Sequence, residues 1–228
     1  MRKRLVYIAS IFLSVVLTAT SGCSHNDGAR APVAAAPPSG SSDPASKVDW
    51  AATKDFWTRS MTLQGIDTGP ADSTKHMLVY FDANCPVCAR QWRVLQPYMA
   101  TVRIHWIPIA FLGNASLQRG AAILAAADPV RALVDNENGF NFSSNTGGYL
   151  QPLSVPAWAI AAVRSNTDSA VAKKYVSGTP TLGFELYNGR RYYRLVGLLD
   201  DKSAPVAVAE LGNTMDPWKH PPLDHPQQ

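Results

Sequence analysis

The sequence predicts an α/β domain that runs βαβ, then a helical insertion, then ββα. Three features predict it. The apolar run MLVYF after His76 hands on to an amphipathic stretch and a second apolar run; the interval from about 114 to 176 is rich in helical pattern; and Asn188-Gly189 sits between two strand-like runs. Strand, helix, strand at this spacing places the first two strands parallel. A hydrophobic content of 46% suits a sizeable core, and 228 residues fit one domain with flanking segments.

Element by element, Trp50, Phe56, Trp57 and Met61 predict a short amphipathic helix entering the domain, and DTGPADS reads as a turn. Residues 86–100 carry Val87, Trp92, Val94, Leu95 and Met99 at helical spacing, with Pro97 expected to kink the helix. VRIHWIPIAFLG follows as the second strand. NASLQRGAAILAAADP reads as a helix capped by Asn114 or Ser116, and PVRALVDNE as a shorter one. NGFNFSSNTGGYLQPLSVP is a long loop of the functional or mobile kind, and a helix over 157–176 has a potential break at SNTD. Two strands after GTPT and a closing helix from about Pro205 to Leu211 complete the order, which is a thioredoxin-like arrangement.

The ends read differently. Arg2, Lys3 and Arg4 precede an apolar stretch from Leu5 to Leu17 and small residues up to Cys23, the layout of an export signal and too short for a membrane span. Its end resembles the lipobox of bacterial lipoproteins, which makes Cys23 a candidate lipidation site; Thr20 stands where those sequences usually carry Leu, and ordinary cleavage nearby is the alternative. Residues 24–48, rich in Ala, Pro, Ser and Gly, are expected to be a disordered tether, and 215–228 a Pro-rich disordered tail, leaving 49–214 as the domain. The formal charge is +4, of which the signal supplies three basic residues, and no basic stripe with interleaved aromatics points to nucleic acid.

Three cysteines remain to be placed. With Cys23 as an anchor, Cys85 and Cys88 form one pair in an oxidising compartment. Cys85 falls at a helix N-terminus, where unpaired N–H groups and the helix dipole favour a thiolate. Pro86 suits the first turn because it needs no donor there. Cys88 lies one turn further in, so Cys85 is read as the attacking sulfur and Cys88 as the resolving one. Two other readings stand beside this. A permanent staple closing so small a loop removes about 2 kcal/mol or less of chain entropy. A dithiol for Cu(I) suits soft thiolates, although no His or Met motif flanks it.

Gly178-Thr179-Pro180-Thr181 stands just ahead of a strand. In a thioredoxin-like arrangement this turn faces the cysteines with a cis proline, aims the Thr179 backbone at an extended peptide, and leaves a gap beside the sulfurs because Pro180 lacks an N–H.

The residues YFDANCPVC with Asp82, Trp92 and Pro97 in the next helix, AAILAAADPVRAL, and GTPT resemble the thioredoxin domain of the periplasmic thiol–disulfide interchange proteins of the DsbC/DsbG group, nearer to DsbG, over roughly Trp50 to Leu211. The resemblance implies a thiol–disulfide oxidoreductase without cofactor, Cys85 as nucleophile, Cys88 as resolving cysteine, and Thr179 with Pro180 facing the client. Its implied partners are cysteine-bearing exported proteins and, as a candidate, a membrane electron donor of the DsbD type. It implies a periplasmic location, with the membrane reached through Cys23. Two departures qualify it. Residues 24–48 are too short and polar for the dimerisation domain of that group, so a monomer is expected and isomerase or chaperone activity is not implied. Val87 is aliphatic where the DsbG relatives carry an aromatic, which leaves the potential open. A DsbA-like disulfide donor and a non-enzymatic copper carrier or peptide-binding lipoprotein are the alternatives. His76 and His105 are expected to sit on strands with local partners, and Asp82 to tune Cys85 or to hold the loop.

Overall fold

The computed structural model describes residues 49–213. The signal, Cys23, the tether and the tail lie outside the described residues. The domain opens with α1 (Trp50–Ser60), whose first turn is capped by the Asp49 carboxylate accepting from the Ala52 N–H at 2.9 Å. Then come β1 (Ile66–Thr68), β2 (His76–Phe81), α2 (Pro86–Leu95), β3 (Arg103–Pro108), α3 (Asn114–Leu124), α4 (Pro129–Asn138), α5 (Ala157–Ala172), β4 (Thr181–Leu186), β5 (Arg191–Val196) and α6 (Ser203–Glu210). The sheet order is β1-β3-β2-β4-β5. β2 and β3 are parallel, in register from His76 beside Arg103 to Phe81 beside Pro108, and the other pairs are antiparallel.

Alternation along the strands builds two cores. Met77, Val79 and Phe81 of β2, with Ile104 and Trp106 of β3 and Leu182 and Phe184 of β4, face one layer with Trp92, Leu133 and Ala204. Leu78, Tyr80 and Ile107 face the other, against Phe56, Trp57 and Tyr175. Because β2 is covered on both faces, five of its six residues are buried, which is why it reads as an unbroken apolar run.

Five features differ from the sequence expectations. β1 was not anticipated; three residues are too few to show a period of two. α2 stops at Leu95 and is not merely kinked, since Pro97 lacks a donor and the chain tightens into a 3₁₀ turn over Gln96–Tyr98. The cap of α3 is Gly113 at φ 104°, because the Ser116 hydroxyl is taken by Asn84. α5 runs through SNTD without a break: Asn166 donates to the carbonyls of Gln64 and Pro108, and Thr167 accepts from the Ala110 N–H. α6 begins at Ser203, two residues early, where Asp200 accepts from the Ser203 N–H at 2.8 Å. The hairpin between β4 and β5 turns through Asn188 at φ 52° and Gly189 at φ 76°, the left-handed pair that the Asn-Gly signal implies.

Candidate functional site

The carboxyl end of β2 delivers Asp82, Ala83 and Asn84 to the start of α2, and Cys85 is the N-cap residue with extended backbone (φ −89°, ψ 118°). Pro86 is the first helical residue, and the Cys85 N–H donates back to the Asp82 carbonyl at 2.9 Å. Cys88, one turn in, points to the core. Both cysteines are free thiols and both are largely covered, with 5% of Cys85 and 1% of Cys88 exposed.

What separates the two sulfurs is electrostatics. The Cys85 thiol is pulled down to about 6, chiefly by a hydrogen bond from Cys88; burial opposes this, while Thr179 and the N–H groups of Cys88 and Val87 support it. Cys88 is pushed well above the ordinary thiol range, first by burial, then by the charge on Cys85 and by Glu137. Cys85 is therefore mostly thiolate at neutral pH, and Cys88 holds its proton.

The Thr179-Pro180 peptide bond is cis, and the turn lies against the first sulfur: as a thiol, Cys85 donates to the Thr179 carbonyl at 3.4 Å. The turn is pinned on both sides, with the Gly197 N–H donating to the Pro180 carbonyl at 2.8 Å and the Thr181 hydroxyl to the Gly178 carbonyl at 2.8 Å. Thr179 is half-buried and Pro180 buried.

Beneath the cysteines lies a set of buried polar groups. The Asp82 carboxylate accepts from the N–H groups of Asn84 (2.9 Å) and Leu112 (2.8 Å), so it ties together the loops on either side of the motif; burial raises its pKa. Asn84 accepts from the Gly147 N–H, and Asn136 donates to both the Ala83 carbonyl and Glu137 Oε1. Glu137 itself is fully enclosed, its Oε2 has no partner, and burial holds its pKa at about 8. A Cβ on Gly147 would stand 1.9 Å from Asn136 Oδ1, so the insertion loop passes over this shelf only because a glycine is there. Gln91 of α2, fully buried, exchanges two hydrogen bonds with the Leu199 backbone and fixes the chain after β5 beside the helix.

The histidines lie elsewhere, on β2 and β3. His76 bridges Glu185 and the Ser73 carbonyl, and His105 bridges Asp67 and the Leu63 carbonyl, so both nitrogens of each ring are engaged. Among the described residues, no group of three or more His, Cys, Asp or Glu forms a metal-holding cluster, and no helix is long and apolar enough to cross a membrane.

No family model matches the chain. It is 30% identical over 107 residues to the thiol:disulfide interchange protein DsbG of Pseudomonas aeruginosa, a stretch covering 46% of this chain and 40% of that protein. The chain thus matches less than half the length of this curated relative. The catalytic domain of Proteus mirabilis ScsC superposes with a TM-score of 0.53 at 18% identity, over 69% of this chain and 97% of that one. A periplasmic thioredoxin-like protein from Salmonella enterica serovar Typhimurium superposes with a TM-score of 0.53 at 16% identity, over 72% and 97%.

The fold is thioredoxin-like. In this thioredoxin-like frame the sequence motifs CPVC and GTPT, 94 residues apart, come within one hydrogen bond of each other. Sequence reading missed Asn84, Gln91, Asn136 and Glu137. Glu137 carries no signal in VRALVDNENG, where an acid reads as a solvent-facing helix position; only the packing of α4 against α2, marked by the Trp92 indole donating to Asn138 at 2.9 Å, turns it inward.

Proposed function

We propose that this chain is a thiol–disulfide oxidoreductase acting on cysteines of exported proteins, with Cys85 as nucleophile, Cys88 as resolving cysteine, and Thr179 and Pro180 receiving the client. One observation carries the reading: two cysteines one helical turn apart have pKa values driven in opposite directions, and the ionised one lies 3.4 Å from a cis-proline turn. A staple explains neither the divergence nor the turn. The Cys85 thiolate attacks one sulfur of a client disulfide; that bond breaks, and the departing client thiolate takes up a proton. Cys88 then loses its proton and attacks Cys85 of the mixed disulfide, which leaves the client with two thiols and closes Cys85–Cys88. A thiol donor of the next protein in the chain of transfer restores the pair. The similarity to DsbG supports the reducing or shuttling direction, a periplasmic setting and a membrane electron donor as partner; lipidation at Cys23 would hold the domain at the membrane.

Trapping tests this reading. With Cys88→Ser the mixed disulfide cannot resolve, and purification should recover clients held through Cys85. Recovery of none under several growth conditions, with no insulin reduction by the unaltered protein, counts against an enzyme; tight Cu(I) retention by the reduced form would then favour the dithiol carrier.

A disulfide donor is favoured by one specific observation, the low pKa of Cys85. A stabilised thiolate stabilises the reduced form and makes the pair more oxidising. Equilibration with glutathione separates the two directions.

A further inference from the structure

Apart from the turn that faces the sulfurs, a polar hollow of about 630 Å³ lies between α3 and the insertion loop, and Asn84, the residue just before Cys85, lines it. Its other polar walls include Ser116, Gln118, Asn145 and Thr146. Arg119 is the single charged side chain in the lining. Its Nη1 donates to the Tyr149 carbonyl at 2.6 Å; among the described residues its Nε is buried without a partner and no carboxylate pairs with it. Burial pulls its pKa down. A half-buried guanidinium that no anion meets is the costly part of an ion pair, and an incoming carboxylate recovers charge-assisted hydrogen bonds there.

We propose that this cleft, lined by the residue that precedes the reacting cysteine, is a client subsite for an acidic side chain read by Arg119. The inference rests on the redox reading of Cys85. Because Asn84 both precedes Cys85 and lines the cleft, a client disulfide that reaches Cys85 would bring its flanking residues toward it. An extended chain advances about 3.3 Å per residue, so an Asp or Glu within about three positions of the client cysteine is the one that enters. The amides of Gln118 and Asn145 offer partners for main-chain groups, no acidic residue lines the cleft, and the Asp82 carboxylate behind Asn84 and Leu112 is occupied by their N–H groups. Arg119 is a specificity residue here; it touches neither sulfur.

The test uses the unaltered protein and two disulfide-bonded peptides identical except for Glu or Gln beside the cysteine, together with the neutral 2-hydroxyethyl disulfide. We expect kcat/KM to favour the Glu peptide by about tenfold at low ionic strength, mainly through KM, with the preference fading as salt is added. Arg119→Gln should bring the two peptides within about twofold while the rate on the neutral disulfide stays unchanged. Thr146→Glu, which supplies a carboxylate in cis, should also erase the preference with Arg119 intact. Equal rates for the two peptides with the unaltered protein, or a preference that survives Arg119→Gln, overturns the subsite. Failure to reduce even the neutral disulfide overturns the redox reading itself, a separate result.

Discussion

On the sheet face covered by α1, buried polar groups find partners. The Ser60 hydroxyl joins the Phe56 carbonyl and the Tyr80 hydroxyl, and the Tyr175 hydroxyl donates to Asp55. On the face covered by α2 and α4, Glu137 and Asn136 each keep a buried oxygen without a partner, and two sulfurs share one proton economy. The first face also shifts its tyrosines, with Tyr80 and Tyr175 pushed up to about 12, but there the shift only deepens their neutrality; the second face moves a thiol down to about 6 and a carboxyl up to about 8, toward neutral pH, the pattern of a site where charge changes.

The comparison breaks most visibly at Cys85. Cys85→Ser should abolish reduction of any disulfide while leaving thermal stability close to that of the unaltered protein, because the serine occupies the same cap. On the satisfied face the reverse holds. Phe56→Ala empties a site packed against Tyr80 and Tyr175 and should cost about 3–5 kcal/mol in chemical denaturation, with the titration of Cys85 unmoved.

Glu137→Gln sharpens the contrast. The folded-state pKa of Glu137 is raised to about 8, so its neutral form stabilises the fold in full below the ordinary carboxyl range, and this contribution is lost as pH rises through 8. The unaltered protein should therefore lose stability relative to the variant between pH 5 and 8, by on the order of 3 kcal/mol at the upper end. A difference curve flat in pH would mean that Glu137 is not enclosed as described. The thiolate absorbance of Cys85 gives a finer probe. Its midpoint should lie near 6, and Cys88→Ala should move it upward, since the Cys88 hydrogen bond is the chief cause of the depression. As a depressed pKa, it stabilises the reduced fold at alkaline pH, an advantage lost as pH falls through 6. The smallest effect belongs to Tyr80→Phe, which removes one hydrogen bond to Ser60 and should cost about 1 kcal/mol.

Several elements were legible because their causes are local. The buried run of β2, Pro86 in the first turn of α2 and the Asn188-Gly189 hairpin each follow from a few adjacent residues. β1 was not legible because its pairing partner, β3, lies about 38 residues away and three residues carry no pattern. The end of α2 was misjudged because a kinked helix and a helix that tightens into a 3₁₀ turn share the same proline signal.

From the sequence alone came the order of elements apart from β1 and a cysteine at a helix start, since capping depends on neighbours in the chain; the facing of the proline turn followed from the fold that this order implied. Tertiary structure alone decided that Glu137 is enclosed, that Asn84 and Gln91 tie distant loops to the motif, and that Arg119 stands in a cleft lined by no acidic residue. These are matters of burial and of which groups share a small volume, and the free energy of a charge depends on that surrounding volume far more than on the residues beside it in sequence.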